Sequence, residues 1–247
     1  GAEAIGERLE RVAREASIPL GVNVAKTHDP DIMGEAAVED FRTAFRHVAS
    51  HADYVALNVS CPNTREGKTF EDPKALDRLL EAIFSAQTSH PGLKTPVLIK
   101  LSPPLSERLV FDTELEDLIR VASAHGVDGF IATNTASDRD GLRTSTQELE
   151  RIGEGGLSGR PLRERSTRLI RYLYRATEGE VPIIGVGGVS DAESAYEKIC
   201  AGASLVQVYT GLIYEGPGLV KRIKEGLVDR IREEGHANIS DAVGSNA

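Results

Sequence analysis

Short aliphatic runs alternate with amphipathic segments along the whole chain, and this alternation restricts the fold more than any single motif does. The runs are Pro19–Val24, Tyr54–Val59, Pro96–Leu101, Gly129–Thr133, Pro182–Val186 and Leu205–Tyr209. Each is β-branched or aliphatic nearly throughout, which predicts strands covered on both faces, as in a parallel sheet. A charged, helical opening covers Gly1 to Glu15. Further helices are predicted over Ala36–Ser50, Pro73–Thr88, Thr113–His125, Leu162–Ala176, Ala192–Ala201 and Gly218–Glu234. Asp112 and Asp191 suit N-caps, and Gly126 and Gly202 suit C-terminal stops. Regular β/α order implies an α/β fold with parallel strands. Two architectures fit: a closed eightfold β/α barrel whose first two strands precede Gly1, or a doubly wound sheet. The second would normally carry a glycine fingerprint after its first strand, and Asn23-Val-Ala-Lys-Thr27 is not one. Ala136–Gly159, rich in Gly, Ser, Thr and charge, is expected to form a long loop over one face.

Composition narrows the class further. The 247 residues suffice for one large core, and with no linker or short repeat a single domain over 1–247 is expected. At 40% hydrophobic content and without a long apolar run, these residues hold no transmembrane helix, and the charged opening is not a signal peptide. The only cysteines are Cys61 and Cys200, outside any Cys-x-x-Cys pattern. That argues against a disulfide framework or a zinc site and fits a reducing cytosol. A net charge of −9 argues against non-specific binding to nucleic acid or anionic lipid.

The residues that end the runs carry the chemistry. Tyr54-Val-Ala-Leu-Asn-Val-Ser-Cys-Pro-Asn-Thr64 passes from an apolar strand into amides, hydroxyls and a thiol. The other ends give Asn23 and Lys26, then Lys100 and Ser102, then Thr133, Asn134 and Thr135. The last two give Gly187, Gly188 and Ser190, and Tyr209, Thr210 and Gly211. Parallel strands present their C-terminal ends on one side, so these groups are expected to converge. Without carboxylates or imidazoles the set is ill-suited to a metal and well suited to a planar heterocycle with several hydrogen-bonding edges. The two glycine-bearing turns suit a phosphate, with Gly187, Gly188 and Gly211 admitting the anion to the backbone. Lys100 ends Val97-Leu-Ile-Lys100, so its ammonium is expected among apolar strands, beside a flavin edge or as a Schiff-base nucleophile. Snorkelling to the rim is the plainer alternative for Lys100, and a small buried thiol is the plainer one for Cys61. Cys200 is expected to pack, and the histidines to lie at the surface.

Five segments, Asn58-Val-Ser-Cys-Pro-Asn-Thr64, Thr133-Asn-Thr135, Gly155-Gly-Leu-Ser-Gly-Arg-Pro-Leu162, Val181-Pro-Ile-Ile-Gly-Val-Gly-Gly188 and Ala203-Ser-Leu-Val-Gln-Val-Tyr-Thr210, follow one another in an order that resembles dihydroorotate dehydrogenase. The resemblance implies a (β/α)8 TIM barrel, N-terminally truncated here, that uses FMN to oxidise dihydroorotate to orotate in pyrimidine biosynthesis. It implies FMN contacts at Asn23, Asn58, Lys100, Thr133, Gly159, Gly188, Tyr209 and Thr210. Asn58, Asn63, Asn134 and Thr135 would hold the substrate. Cys61 would be the base that takes the C5 proton, and Lys100 would stabilise the anionic reduced flavin. The closing motifs look like those of class 2 enzymes, which implies quinone as electron acceptor. It also implies peripheral contact with the inner face of the cell membrane through a segment before Gly1. A cysteine in the base position looks instead like class 1, where fumarate or NAD accepts the electrons. Other readings are a Schiff-base lyase or aldolase acting through Lys100, and a binding or regulatory subunit built on a truncated barrel. Related flavin barrels that reduce tRNA uridines also use a cysteine, but they need a basic surface and this chain is acidic.

Overall fold

A computed structural model describes residues 1–13, 15, 17–60, 69–90, 93–104 and 113–247. Cys61, Pro62, Asn63, Thr64 and Asp112 therefore lie outside the described residues. The chain divides into two compact units, Gly1–Leu101 with Asp112–Gly129, and Ser102–Phe111 with Phe130–Ala247.

The first unit begins with α1 (Ala2–Ala13), followed by β1 (Gly21–Ala25), α2 (Gly34–Val48), β2 (Tyr54–Asn58), α3 (Pro73–Thr88), β3 (Val97–Leu101) and α4 (Thr113–Ala124). β1 pairs in parallel with β2, and β2 with β3. The register aligns Asn23 with Ala56, Ala25 with Asn58, and Asn58 with Lys100. Aligned residues on parallel strands share a face, and residues two apart share it too. Asn23, Ala56, Asn58, Leu98 and Lys100 therefore belong to one face. Val55, Leu57, Val97, Ile99 and Leu101 belong to the other and are buried. Helices α2 and α3 supply the matching buried stripes, Phe41, Phe45 and Val48 from the first and Leu76, Leu79, Leu80 and Ile83 from the second. Phe70 meets Phe41 edge to face, with ring centroids 5.3 Å apart. Asp72 caps α3 by accepting from the Ala75 amide at 2.9 Å, ahead of Pro73 in the first turn.

The second unit holds β4 (Gly129–Ala132, of which Gly129 belongs to the first unit), α5 (Thr146–Ile152), α6 (Arg163–Ala176), β5 (Ile183–Val186), α7 (Ala192–Cys200), β6 (Leu205–Gln207), α8 (Thr210–Glu215) and α9 (Gly218–Glu233). β5 pairs in parallel with both β4 and β6. Phe130, Ile183 and the buried side of α6 (Leu169, Ile170, Leu173) form its centre, and Val189, Ala195, Leu219 and Ile223 form a second cluster beneath α9. Asp191 heads α7 in a capping box: its carboxylate accepts from the Ser194 amide at 2.7 Å while Ser194 Oγ accepts from the Asp191 amide at 3.2 Å. Gly126 and Gly202 follow α4 and α7 with positive φ, as helix stops should.

Two expectations need correction. Ala136–Gly159 is not a structureless loop. It holds α5, started by Ser145, whose hydroxyl accepts from the Glu148 amide at 3.3 Å, and an antiparallel bridge between Ala136 and Leu157. None of the helix is buried, so it left no apolar periodicity to read; the Ser145-x-x-Glu148 spacing was the available signal. The last strand also ends early, at Gln207, because the chain turns at Tyr209 (φ −137, ψ −77) into α8.

The Asp191 cap gives a direct check on local stability. Asp191→Ala is expected to lower unfolding free energy by about 1 kcal/mol, read as a lower urea midpoint at unchanged slope. An unmoved midpoint would mean that the box contributes nothing.

Candidate active site

In the first unit the polar residues at the strand ends lie side by side. Asn58 Nδ2 points to Asn23 Oδ1 at 3.5 Å, and Ser60 Oγ lies 3.4 Å from Asn58 Oδ1. Ser60, which is buried, also donates to the Lys100 carbonyl at 2.8 Å, so the first residues after β2 are tied to the end of β3. Lys100 is half-buried, with its stem on the face that carries Leu98 and Ala56. Two carboxamides and an ammonium thus occupy one face without a carboxylate among them. They can donate and accept along the edge of a heterocycle, as their residue types require. Cys61 and Asn63 follow directly in sequence but lie outside the described residues.

In the second unit three loops meet. Beyond β4, the Thr133 amide donates to the Val186 carbonyl at 2.9 Å and Thr133 Oγ1 to the Asn134 carbonyl at 2.9 Å. Asn134 is buried, and its Oδ1 accepts from the Thr135 amide at 2.9 Å. Thr210 Oγ1 donates to Ser158 Oγ at 2.9 Å, and a Cβ on Gly159 would stand 3.1 Å from Thr210 Cγ2. A Cβ on Gly211 would stand 2.6 Å from the Val189 carbonyl oxygen. Gly159, Thr210 and the loop after β5 are therefore contiguous. Tyr209 heads α8 and is 76% exposed, so this unit does not enclose it.

The glycines after β5 also serve the packing of α6. A Cβ on Gly188 would lie 2.5–2.7 Å from the Cβ, Cα and amide nitrogen of Arg163, and one on Gly187 would lie 3.1 Å from Ser166 Cβ. The missing side chains make room for the first turn of α6, and Gly188 is held at φ 74. The amides of Gly187 and Gly188 donate to no backbone acceptor among the described residues, so they remain available to an anion.

Sequence reasoning missed a clamp in this unit. Arg165 grips Asp138 through both carboxylate oxygens, at 2.9 and 2.7 Å, and also donates to the Pro104 carbonyl at 2.8 and 2.6 Å. Burial pushes the Asp138 carboxyl up, but the Arg165 hydrogen bonds and charge outweigh it and leave the group below its ordinary range. His125, just after α4, pairs with Asp77 of α3 at 2.7 Å and stacks on Phe84. No group of metal-ligating side chains occurs among the described residues. Cys200 packs with Tyr196, Ile199 and Ala242, as expected.

Comparison with known proteins places the chain in a family. The family model described as dihydroorotate dehydrogenase matches residues 1–231. The chain belongs to the dihydroorotate dehydrogenase family. Relatives called dihydroorotate dehydrogenase (quinone) include those of Nostoc punctiforme, 40% identical over 99% of this chain and 64% of its own length, and Haloarcula marismortui, 41% identical over 100% and 65%. The chain thus spans a little under two thirds of these relatives. Among solved structures, ligand-free DHODH from Eimeria tenella matches with a TM-score of 0.89 at 32% identity, over 100% of this chain and 71% of that one. The same enzyme with ferulenol gives 0.88 at 32% identity, over 100% and 68%. The expected class, an α/β fold of the barrel type found in this family, is borne out.

The clamp makes a signed prediction. Folding lowers the Asp138 pKa below its ordinary 3.8, so the stability it brings is complete above that value and is lost as pH falls through the folded one. Asp138→Asn is therefore expected to flatten the acid limb of the stability profile, and Arg165→Met to cost about 1–3 kcal/mol near neutrality. Acid unfolding of Asp138→Asn identical in pH dependence to the parent would count against the clamp.

Proposed function

We propose that this chain carries the catalytic machinery of an FMN-dependent dihydroorotate dehydrogenase. It oxidises (S)-dihydroorotate to orotate in pyrimidine synthesis and passes the electrons on to a quinone. The observation that carries this reading is the face shared by Asn23, within β1, and Asn58 and Lys100, near the ends of β2 and β3. Family membership and the names of the relatives support it.

The residues present suit FMN by their chemistry. Asn23, Asn58 and Lys100 offer amides and a cation to the polar edge of a ring, with Thr133 as a further contact. Gly159, Gly188, Tyr209 and Thr210 belong to the loops that hold the phosphate end, with the amides of Gly187 and Gly188, which donate to no backbone acceptor among the described residues. When bound, FMN supplies the two-electron acceptor for the hydride that leaves C6 of the substrate. Cys61 Sγ, as thiolate, takes the C5 proton, so that one C–H bond is lost from each of the two carbons and a double bond forms between them. Asn58, Asn63, Asn134 and Thr135 orient the pyrimidine through its carbonyls and N–H groups, which holds C5 toward the thiolate. Lys100 Nζ, near the end of β3, stabilises negative charge on electron-rich oxygen or nitrogen of the bound ring.

No helix among the described residues is long and apolar enough to cross a membrane. Delivery of electrons to a membrane quinone is peripheral in this scheme.

The purified protein, as it occurs in its full-length context, is expected to show the yellow absorption of oxidised flavin and to bleach when dihydroorotate is added. A colourless preparation that takes up no FMN defeats the proposal. With Cys61 as base, the rate of flavin reduction by substrate should rise with pH through the ionisation of a thiol, whose ordinary pKa is about 8.5. A flat profile across that range, or full activity in Cys61→Ala, removes Cys61 from the role.

A further inference from the structure

Lys198 is the one charged side chain among the described residues that is fully buried, at 0% exposure, and no motif drew attention to it. It sits on the inner side of α7, in phase with Ala195 and Ile199. Its Cβ would stand 3.3 Å from a Cβ on Gly185, so its stem lies directly behind β5. Its ammonium donates to the Arg163 carbonyl at 3.2 Å and to Thr167 Oγ1 at 3.1 Å, both in the first turns of α6. Thr167 Oγ1 in turn donates to Glu197 Oε1 at 2.8 Å, and Arg163 Nε donates to Glu197 Oε2 at 2.7 Å. Arg163 also reaches Glu193 at 3.3 Å. Cation, hydroxyl, carboxylate and guanidinium thus close a ring that staples the start of α6 to α7.

The backbone of Gly188 lies against this staple. Arg163 is the residue that a Cβ on Gly188 would strike, and Ser166, on the same turns of α6, holds the Val186 carbonyl at 2.6 Å. The position of the Gly187 and Gly188 amides therefore follows the position of the first turn of α6, which the buried ammonium helps to set.

We infer that Lys198 is a positioning residue for the phosphate-binding loop: through Arg163 and Thr167 it holds the Gly187–Gly188 amides in the arrangement that receives a phosphate monoester. The inference rests on the flavin reading given above. Retaining an ammonium in such a place is costly. Burial lowers its pKa to about 8, with the Glu197 charge opposing that shift and Arg163 adding to it. A methionine or leucine would fill the same volume without the cost of burying a charge.

The test compares FMN with riboflavin, which lacks the phosphate, in binding to the apoprotein of the full-length enzyme. Parent, Lys198→Met and Thr167→Val are measured by fluorescence quenching, alongside their melting temperatures. Lys198→Met should weaken FMN about tenfold, the equivalent of one lost charge-assisted hydrogen bond, and leave riboflavin nearly unchanged. Thr167→Val keeps the lysine and breaks the relay, so it should move the FMN-to-riboflavin ratio in the same direction. It carries the test alone if Lys198→Met does not fold. A lowered melting temperature with an unchanged ratio in the folded variants overturns the inference and leaves Lys198 a packing residue. If the parent binds FMN no better than riboflavin, the phosphate loop is misassigned and the inference falls while a flavin site stands. If the parent binds neither, the flavin reading falls as well.

Discussion

Parallel pairing aligns residues of equal parity on neighbouring strands, and in the first unit that alignment decides which chemistry is available. Asn23, Asn58 and Lys100 share a face because β1, β2 and β3 pair in one register. A slip of one residue would turn a strand's polar end toward the helices and bring valines and leucines to the other side. The register is held by the opposite face, where Val55, Leu57, Val97 and Ile99 are buried. Burial of aliphatic side chains on one side of the sheet thus positions amides and an ammonium on the other. The site depends on the core at the level of single residues.

The second unit solves a different problem, how to hold loops in place. There the apolar core is supplemented by buried or half-buried charge, Arg165 with Asp138 and the Pro104 carbonyl, and Lys198 with the start of α6. Such groups contribute little net stability because desolvation offsets much of their attraction. They impose direction, however, since each hydrogen bond is met in one geometry only. Aliphatic packing would tolerate small shifts of α6 against α7, while a lysine bonded to one carbonyl and one hydroxyl does not.

Much of the fold could be read in advance. All six strands appear where aliphatic runs predicted them, and α3 spans Pro73–Thr88 as expected, because apolar period and cap residues are local signals. Helix α5 escaped because an exposed seven-residue helix needs no apolar stripe. The candidate site was legible where strand ends carry amides. Lys198 and Arg165 were not: each sits in a helix as any surface cation might, and the partners of Arg165 lie 27 and 61 residues away in the chain.

From its residues alone, then, this chain determined its alternating elements, the parallel character of its strands and the kinds of group that finish them, since these follow from side-chain shape, polarity and spacing along the backbone. The tertiary structure decided which of those groups face one another. It also decided that Gly188 makes room for Arg163 and that one lysine is shut away from water. Those outcomes depend on contacts between segments far apart in sequence, which no local pattern encodes.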